Sequence, residues 1–491
     1  MHQAAQRSVP RHAAYLAAHR PHLAAGFAAA LPGARATVLA RLFGALTREP
    51  FPGRGPVVRT GATVTVTLSG HEVRGPAAAA GLFHSPSPGL TIGGYTDPAD
   101  LAATLWPDRP DVAADLDDSV ANLALGRAAP PARRDHTDLA DAEQSVVDGH
   151  PIHPCCRTRA GFSCADILAY GPEHRPVVAL PVIAVPPDRW YTTGAGLPPR
   201  LVMHPWQWQH HRDKHPYLED TGERLAARPL ISLRTFAVPG RHVKTALDVR
   251  LTNHVRTVSP ESVHNGPLAT ALLARLTRAT PGLGVMADRA GGAVIVDGAP
   301  DRSLAMIERP APDLSPGEMV APLAALGGAA GRAHPDGPVG LVADVARLLV
   351  PALHTLLDLG VALDAHGQNL LVVRAGGRAV RLVYRDLGGI RVSPAALARH
   401  GVECPPLVGD LPCDDPAELR TRAVSSAVTS GLGLLVTTLA GDCGEEPAHL
   451  WAAVGGPYDG TLPLKAMTVT RFEGGEDRWT AVPNPMAGAA W

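Results

Sequence analysis

The chain has 491 residues, enough for two to four packed domains at about 100–200 residues each. Lys and Arg number 45 against 46 Asp and Glu, so the formal net charge is -1 and offers no large field of one sign to nucleic acid or an anionic membrane. Hydrophobic residues make up 45% of the chain despite 50 Gly and 48 Pro, which indicates a folded protein with small-molecule partners.

The chain start and the cysteines indicate the compartment. Residues Met1–Arg7 lack the basic segment and apolar run of an export signal, and no stretch reaches about 18 uninterrupted apolar residues. We therefore expect a cytoplasmic protein. None of the six cysteines has C-x-x-C spacing, so we expect free thiols; a metal site around Cys155, Cys156 and nearby histidines is the less favoured alternative.

Helices predominate in the N-terminal part, and strands follow. Residues 11–48 and 109–128 are rich in Ala and Leu and predict helices, while the alternation in Thr63–Leu68 predicts a strand. From about residue 176 the chain turns to short β-branched runs, which predict a sheet-rich middle. These runs cover residues 176–185, 200–204, 229–238, 243–252 and 293–296.

The last part begins with a change of composition. Residues Pro310–Gly340 are loaded with Pro, Gly and Ala and predict a linker or loop. Leu341–Leu359 has helical apolar spacing and ends at Gly360, a suitable C-cap. Two short strands follow, Asn369–Val373 and Ala379–Tyr384, joined by the turn at 375–377 and succeeded by a mostly helical tail.

A dense set of polar residues precedes and follows this predicted hairpin. Asp364, His366, Gln368 and Asn369 lie between the helix and the first strand, and Asp386 follows the second. The hairpin can bring all five together, and two carboxylates with an amide oxygen are ligands that Mg²⁺ takes when it is shared with phosphates. The alternative is a polar turn with a capping Asp.

A second constellation combines hydroxyls and cations. Ser232, Arg234 and Thr235 are followed by Lys244 and Arg256. Such groups on neighbouring strands make a phosphate-binding surface without a Gly-rich loop, although a solvated strand face stays open as an alternative. Alternation along residues 242–252 predicts that one face of a single strand carries Lys244, Asp248, Arg250 and Thr252.

The segment G-H-P-I-H-P at 149–154 forms the third constellation. Its two prolines rigidify a loop that carries His150 and His153, which favours fixed hydrogen-bonding groups over a zinc site. Trp206 and Trp208 in the later H-P-W-Q-W segment are typical of core residues rather than a stacking platform. Lys465, near the C-terminus, is on its own typical of a solvated side chain.

Seven motifs follow one another along the chain: G-H-P-x-H-P, H-P-W-Q, S-x-R-T, a Lys-containing strand ending in T-x-x-x-R, D-x-H-G-Q-N, R-D and a late L-K-A. In this order, they resemble the NRPS-independent siderophore synthetases, the IucA/IucC family. The resemblance implies an α+β fold like a cupped hand, with mixed antiparallel sheets and a helical C-terminal region. It implies a thumb-like domain at 1–148, a fingers-like domain at 149–309 and a palm-like domain at 310–491.

The resemblance also implies the chemistry, with ATP and Mg²⁺ as cofactors. Enzymes of the family activate a carboxylate of citrate or a related acid as an acyl-adenylate and pass the acyl group to an amine, hydroxylamine or alcohol. We therefore expect these small-molecule partners and neither nucleic acid nor a membrane; a homodimer stays open. An acid that displaces pyrophosphate gathers negative charge at the α-phosphorus, which fixed cations and a metal ion stabilise.

Carried over by residue, the resemblance implies the following roles. The ATP phosphates would be held by Ser232, Arg234, Thr235 and Lys244, with His150 or His153 closing over them and Arg256 between the α-phosphate and the acid. The Mg²⁺ ligands would be Asp364, Asn369 and Asp386, and the carboxylate substrate would meet Thr252, His366, Gln368 and Lys465. Catalytic roles fall to His366, Arg256 and Lys244.

Some features depart from this family or fit another class. Members usually have Glu at the position of Asp364 and commonly Lys at that of Arg157, which shortens a metal-binding arm and alters a loop cation. Asp364 to Asn369 followed by Asp386 also resembles the pattern of small-molecule kinases, although a Gly-rich phosphate loop is missing from the sequence. A homologue that binds siderophores without catalysis is the third interpretation.

Overall fold

The computed structural model describes residues 7–84, 86–129, 136, 138–458 and 460–487, so residues 1–6 of the predicted start lie outside the description. The helices are α1 Ser8–His19, α2 Pro21–Arg48, α3 Pro98–Leu105, α4 Pro110–Ala128, α5 Leu139–Gln144, α6 Cys164–Tyr170, α7 Pro205–His211, α8 Pro260–Leu276, α9 Gly328–Ala333, α10 Gly337–Asp358, α11 Pro394–Arg399, α12 Pro416–Ala423, α13 Gly433–Cys443, α14 Pro447–Val454 and α15 Met467–Glu473. A π-helix, Val424–Leu432, joins α12 to α13.

The strands are β1 Val57–Thr60, β2 Thr63–Leu68, β3 His71–Pro76, β4 Arg159–Ala160, β5 Val178–Ala184, β6 Trp190–Gly194, β7 Arg200–Val202, β8 Glu219–Pro229, β9 Thr235–Val238, β10 Arg241–Thr245, β11 Leu247–Leu251, β12 His254–Arg256, β13 Leu283–Val285, β14 Ala290–Val296, β15 Ala299–Pro310, β16 Glu318–Pro322, β17 Val361–Ala362, β18 Leu370–Ala375, β19 Arg378–Tyr384, β20 Arg391–Val392, β21 Thr461–Lys465 and β22 Trp479–Pro483.

The N-terminal region packs three helices against a small sheet. Helices α2 and α4 each begin with a proline at the first turn, where no backbone N–H is needed, and they pack closely on each other. Leu16, Phe27 and Phe43 are fully buried between these elements. Strands β1, β2 and β3 form an antiparallel meander. The predicted helices and the strand at 63–68 are confirmed.

An eight-stranded sheet dominates the middle of the described chain, with the order β6-β14-β15-β10-β9-β8-β5-β7. Its pairings are antiparallel, and Phe236, Val243 and Met306 lie in the core on one face. Strand β10 therefore lies inside the sheet between β9 and β15. This central position fixes the backbone that carries Lys244.

The prediction of one continuous strand at 243–252 is wrong. Strand β10 ends at Thr245, Ala246 donates its N–H to the carbonyl of Ala305, and β11 then pairs with β12 and β4 in a separate sheet. The shared charged face is consequently broken. Asp248 instead contacts His211 and Ser303, each at 2.8 Å.

The C-terminal region is built on a four-stranded sheet in the order β13-β19-β18-β16, and the predicted hairpin β18–β19 is confirmed. Helix α10 packs on β19 and stops at Gly360, whose φ of 87° suits glycine. The linker prediction for 310–340 is wrong in part, because that segment contains β16 and α9. Val320 and Ala321 are buried and hold β16 against β18.

The three-domain division stays a prediction. Strand β13, which precedes the predicted boundary at 309/310, pairs in parallel with β19 beyond it. The sheet that supports the hairpin β18–β19 therefore takes one strand from the middle of the chain.

Three described helical segments are long and apolar enough to cross a membrane by length and composition alone: Pro21–Arg48, Gly337–Asp358 and Pro416–Cys443. The sequence prediction considered only uninterrupted apolar runs and did not single them out. The share of each apolar window buried within the protein is 39%, 61% and 72%, respectively. Most of the apolar window in each of the last two segments is therefore buried inside the protein.

Candidate active site

A polar cavity of about 350 Å³ lies between loop 230–235, strand β10 and the segments on either side of the hairpin β18–β19. Most of the predicted site residues line it, although they come from separate sheets. These residues are Ser232, Arg234, Thr235, Lys244, Thr252, Arg256, Asp364, His366, Gln368, Asn369 and Asp386. The predicted phosphate-binding and metal-binding groups thus face one space.

Three predicted residues are not among those that line the cavity: His150, His153 and Lys465. His153 is fully buried, with Nε2 2.5 Å from Asn253 Oδ1 and Nδ1 accepting the N–H of Cys155, and burial lowers its pKa to about 3. Burial and the charges of His153 and His366 hold the pKa of His150 well below its usual value. Lys465 Nζ lies 2.8 Å from Asp477.

The cationic side of the cavity is centred on Lys244. Its Nζ lies 2.6 Å from Oδ1 of Asp386, and Arg309 Nη2 lies 3.4 Å from the same oxygen. Burial lowers the pKa of Lys244 to about 8 against the opposing effect of Asp386. Burial alone would raise the pKa of Asp386, but Lys244 and Arg309 outweigh it and hold that pKa well below its usual value.

Two further guanidinium groups extend the cationic side. Arg234 Nη1 donates to the carbonyls of Arg256 and Thr257 at 3.0 and 2.6 Å, which fixes loop 230–235 against β12. Burial and then the neighbouring Arg256 lower the pKa of Arg234 to about 9. Burial also lowers the pKa of Arg256, against the effect of Asp386. Cations this close together make a site for a polyanion.

A tyrosine hydroxyl holds the acidic side together. The fully buried Tyr384 accepts the N–H of Asp364 at 3.3 Å and donates to the carbonyl of Asp386 at 3.2 Å. Asn369 Nδ2 donates to the carbonyl of Asp364 at 3.1 Å. His366 Nε2 lies 3.9 Å from the Asp364 carboxylate. These contacts fix both carboxylate-bearing backbones relative to the hairpin.

Unusual backbone geometry accompanies the cavity. Leu233, Thr252 and Asp386 all line it with positive φ values of 67°, 55° and 73°. Non-glycine residues in this left-handed region are uncommon, persist only where the surroundings hold them, and cluster at functional sites. A Cβ on Gly389 would lie 3.0 Å from Oδ2 of Asp364, so a larger residue there would require the Asp364 side chain to shift.

The π-helix supports the same region from behind. Ser426 donates to the carbonyl of Leu363 at 3.1 Å, directly before Asp364. Ser425 Oγ accepts the N–H of Lys465 at 3.0 Å, and Thr429 donates to the carbonyl of Pro463 at 2.8 Å. The π-helix therefore anchors both the polar loop and strand β21. Such helices occur frequently at functional sites.

The donor chemistry at Asp364, Asn369 and Asp386 fits Mg²⁺ that is shared with a nucleotide. Mg²⁺ is usually bound by one or two carboxylates, with phosphate oxygens and water completing its shell. The contacts of Lys244 and Arg309 both go to Oδ1 of Asp386. The described residues contain no group of three or more His, Cys, Asp or Glu side chains arranged for a metal ion, and all six cysteines are free thiols.

The sequence prediction missed several residues that line the cavity. Arg309 lies in the long strand β15 without any local motif, and it reaches Asp386 only because β15 pairs with β10. Glu143 lies on the short helix α5 with no polar motif around it. Arg385 carried a signal, since it directly precedes Asp386 in the R-D motif.

Comparison with known proteins shows a family resemblance. The IucA / IucC family model matches residues 138–197 and 199–328, which include loop 230–235 and the cationic side of the cavity. This part of the chain is similar to the IucA / IucC family. A second family model, described as Ferric iron reductase FhuF-like transporter, matches residues 345–462 and covers the acidic side.

Curated proteins that are similar to this chain are named as synthases and ligases. Staphyloferrin A synthase of Staphylococcus aureus is 25% identical over 314 residues, which cover 52% of this chain and 53% of that protein. The L-2,3-diaminopropanoate--citrate ligase of the same organism is 25% identical over 314 residues, 51% of this chain and 54% of the ligase. The chain thus spans about half the length of these curated relatives.

Solved structures extend the likeness over nearly the whole chain. The petrobactin biosynthesis protein AsbB of Bacillus anthracis has a TM-score of 0.76 at 17% identity, covering 94% of this chain and 98% of that one. The ATP-bound aerobactin synthetase IucA of Klebsiella pneumoniae has a TM-score of 0.72 at 18% identity, covering 91% and 99%. The predicted α+β siderophore-synthetase fold is confirmed.

Proposed function

We propose that the protein is an ATP-dependent ligase of siderophore biosynthesis. It activates citrate or a related carboxylic acid as an acyl-adenylate and condenses the acyl group with an amine, hydroxylamine or alcohol. The observation that carries this proposal is the single cavity in which the cations Arg234, Lys244 and Arg256 face Asp364 and Asp386. The names of the curated relatives, one of them a citrate ligase, support the same reaction class.

ATP would occupy the cationic side. Ser232, Arg234, Thr235 and Lys244 would hold the phosphates, with His150 or His153 at their edge. Because burial keeps the pKa of both histidines low, each would act as a neutral hydrogen-bonding group. A solved structural neighbour titled as ATP-bound supports this choice of nucleotide.

Asp364, Asn369 and Asp386 would hold Mg²⁺. When bound, this ion would neutralise phosphate charge in the cavity. Thr252, Gln368 and Lys465 would orient the acid, with His366 beside the reacting carboxylate. Lys465 would have to exchange its contact with Asp477 for the substrate, or share it.

In the first step, a carboxylate oxygen of the acid attacks the α-phosphorus while the bond from that phosphorus to the bridging oxygen breaks and pyrophosphate leaves. The nucleophile then attacks the acyl carbon, loses a proton and displaces AMP. Arg256 and Lys244 would stabilise the negative charge that develops at phosphorus. Preorganised, desolvated cations are effective in this role because they need little reorganisation during the reaction.

A phosphotransferase is the second candidate, because Asp364, Asn369 and Asp386 all line the cavity in the order that small-molecule kinases use. The two reactions give different products. We expect AMP and pyrophosphate only when the correct acid is present, tested across citrate, succinate and related acids, with hydroxylamine trapping a hydroxamate. ADP and a phosphorylated acceptor would contradict the ligase, and ligand binding without nucleotide turnover would indicate a non-catalytic homologue.

We also propose a cytoplasmic location, since the reaction consumes ATP, and neither a nucleic-acid nor a membrane partner. Cell fractionation tests the location. Mass measurement in solution distinguishes a monomer from the homodimer that the sequence left open.

A further inference from the structure

Helix α5 carries a fully buried carboxylate that none of the predicted roles uses. Glu143 lines the cavity with no exposed surface. Its Oε2 accepts the N–H of Ile231 at 3.0 Å, directly before Ser232. Its Oε1 accepts Nη1 of Arg385 at 2.6 Å. One carboxylate therefore contacts both the phosphate-binding loop and the residue that precedes Asp386.

Arg385 continues this connection into the acidic side. Its Nε and Nη2 both donate to the carbonyl of Gln368, at 3.2 and 3.0 Å, and its backbone N–H donates to the carbonyl of Asn369 at 3.0 Å. A continuous path runs from the N–H of Ile231 through Glu143 and Arg385 to Gln368. We call these four residues the Glu143 bridge.

The Glu143 bridge joins parts of the fold that no β-sheet joins directly. Loop 230–235 lies between β8 and β9 of the eight-stranded sheet, whereas Gln368 lies directly before β18 of the four-stranded sheet. Helix α5 also contacts the eight-stranded sheet, because Gln144 donates to the carbonyl of Pro229 in β8 at 3.1 Å. The spacing between the two loops therefore depends on side-chain contacts.

We propose that Glu143 is a positioning residue that sets the distance between the phosphate-binding loop and the metal-binding loop. This inference rests on the proposed function. A glutamate suits the task because its two oxygens accept from two donors at once and its charge neutralises a buried guanidinium. A glutamine has the same shape but only one accepting oxygen, so one of the two contacts is lost.

Glu49 offers a matched control elsewhere in the chain. It is also buried, at 6% exposure, and it accepts a backbone N–H, that of Val469, at 2.7 Å. It does not line the cavity described here. Glu49→Gln and Glu143→Gln therefore make the same chemical change to two buried backbone-binding carboxylates, and only one of them belongs to the Glu143 bridge.

The test measures pyrophosphate release, the KM for ATP and thermal stability in the full-length protein. We expect Glu143→Gln to lower kcat on the order of 10²-fold, the effect of a displacement of about 1 Å at a reacting centre. Its KM for ATP should change little, and more Mg²⁺ should be needed for half-maximal activity. Glu49→Gln should keep wild-type kcat, whatever its Tm.

The double variant Glu143→Gln/Arg385→Gln separates positioning from stability. Removing the guanidinium removes the uncompensated buried charge, so Tm should recover relative to Glu143→Gln while kcat stays low. Recovery of both would overturn the inference, as would wild-type kcat in Glu143→Gln or an equal loss in Glu49→Gln. Wild-type protein without acid-dependent pyrophosphate release would instead refute the proposed function. In that case, the inference is tested by measuring ATP affinity with and without Mg²⁺. We expect Mg²⁺ to increase ATP affinity less in Glu143→Gln than in the wild type. An equal increase in both proteins would overturn the inference.

Discussion

The two sides of the cavity are built in different ways. The cationic side is embedded, since the Lys244 side chain is only 8% exposed and lies on an internal strand of the largest sheet. The acidic side is open, with side-chain exposures of 31% for Asp386 and 43% for Asp364. A buried cation is costly but preorganised, whereas partly exposed carboxylates can take a metal ion from solution.

The difference indicates a division of labour. Lys244 and Arg309 lie on paired strands of the eight-stranded sheet, whereas Asp364 and Asp386, which are expected to bind the metal ion, lie outside the strands. The two sides meet at the contact between Lys244 and Asp386, so we expect the largest effect from a substitution at that contact.

Asp386→Asn should have the largest effect. It keeps the shape but removes the charge that faces Lys244 and Arg309, and with it a metal ligand. We expect turnover to fall on the order of 10²-fold or more, with a higher Mg²⁺ requirement. Measuring kcat over a Mg²⁺ titration tests this. The control is Asp248→Asn, because Asp248 lies on β11 in contact with His211 and outside the cavity lining. Near-normal activity of Asp386→Asn at low Mg²⁺ would show that Asp386 has a structural role only.

Arg256→Lys should come next. The charge survives, but one ammonium cannot fork between two anions as a guanidinium does, so kcat should fall on the order of 10-fold along with kcat/KM. Arg250→Lys is the matched control, since Arg250 is 48% exposed, lies 4.0 Å from Asp115 and does not line the cavity. If Arg250→Lys lost activity while Arg256→Lys kept wild-type kcat and KM, the anion-binding residue would be Arg250 and not Arg256.

Asp364→Glu should cause a smaller loss, even though it restores the residue usual in the family. The extra methylene must fit where the side chain already lies against Gly389. Because the Asp364 side chain is 43% exposed and the substitution keeps the carboxylate, we expect only a partial loss of kcat, smaller than that of Arg256→Lys. Steady-state kcat is the measurement. Higher activity than the wild type would show that the shorter arm is not matched to this site.

The mildest prediction concerns pH. Because burial lowers the pKa of Lys244 to about 8, this cation loses its charge as the pH rises through that value. ATP affinity should therefore fall between pH 7 and 9. The contribution of the same group to stability runs the other way: the folded state releases its proton first, so stability rises with pH between about 8 and 10.5. Titration calorimetry at both pH values tests the affinity, and Lys244→Arg should flatten its pH dependence.

Local sequence predicted one side of the site better than the other. The acidic loop and its hairpin are contiguous, so D-x-H-G-Q-N and R-D were readable together. The cationic side depends on pairings that no local pattern encodes: the chain changes sheets at Ala246, and Arg309 arrives through the pairing of β15 with β10. The many Pro and Gly residues in 310–340 also concealed strand β16. This strand is defined by its pairing with β18, which the local sequence does not indicate.

The π-helix makes the length of segment 424–432 part of the site. Its i→i+5 hydrogen bonding accommodates one more residue between bonded groups than an α-helix does. Deleting a single residue there would change the hydrogen-bond register of the segment and displace its side chains relative to their partners. Ser425 and Ser426 could then no longer hold Lys465 and Leu363 together. A one-residue gap in this helix should therefore change the site, even though the helix itself does not line the cavity.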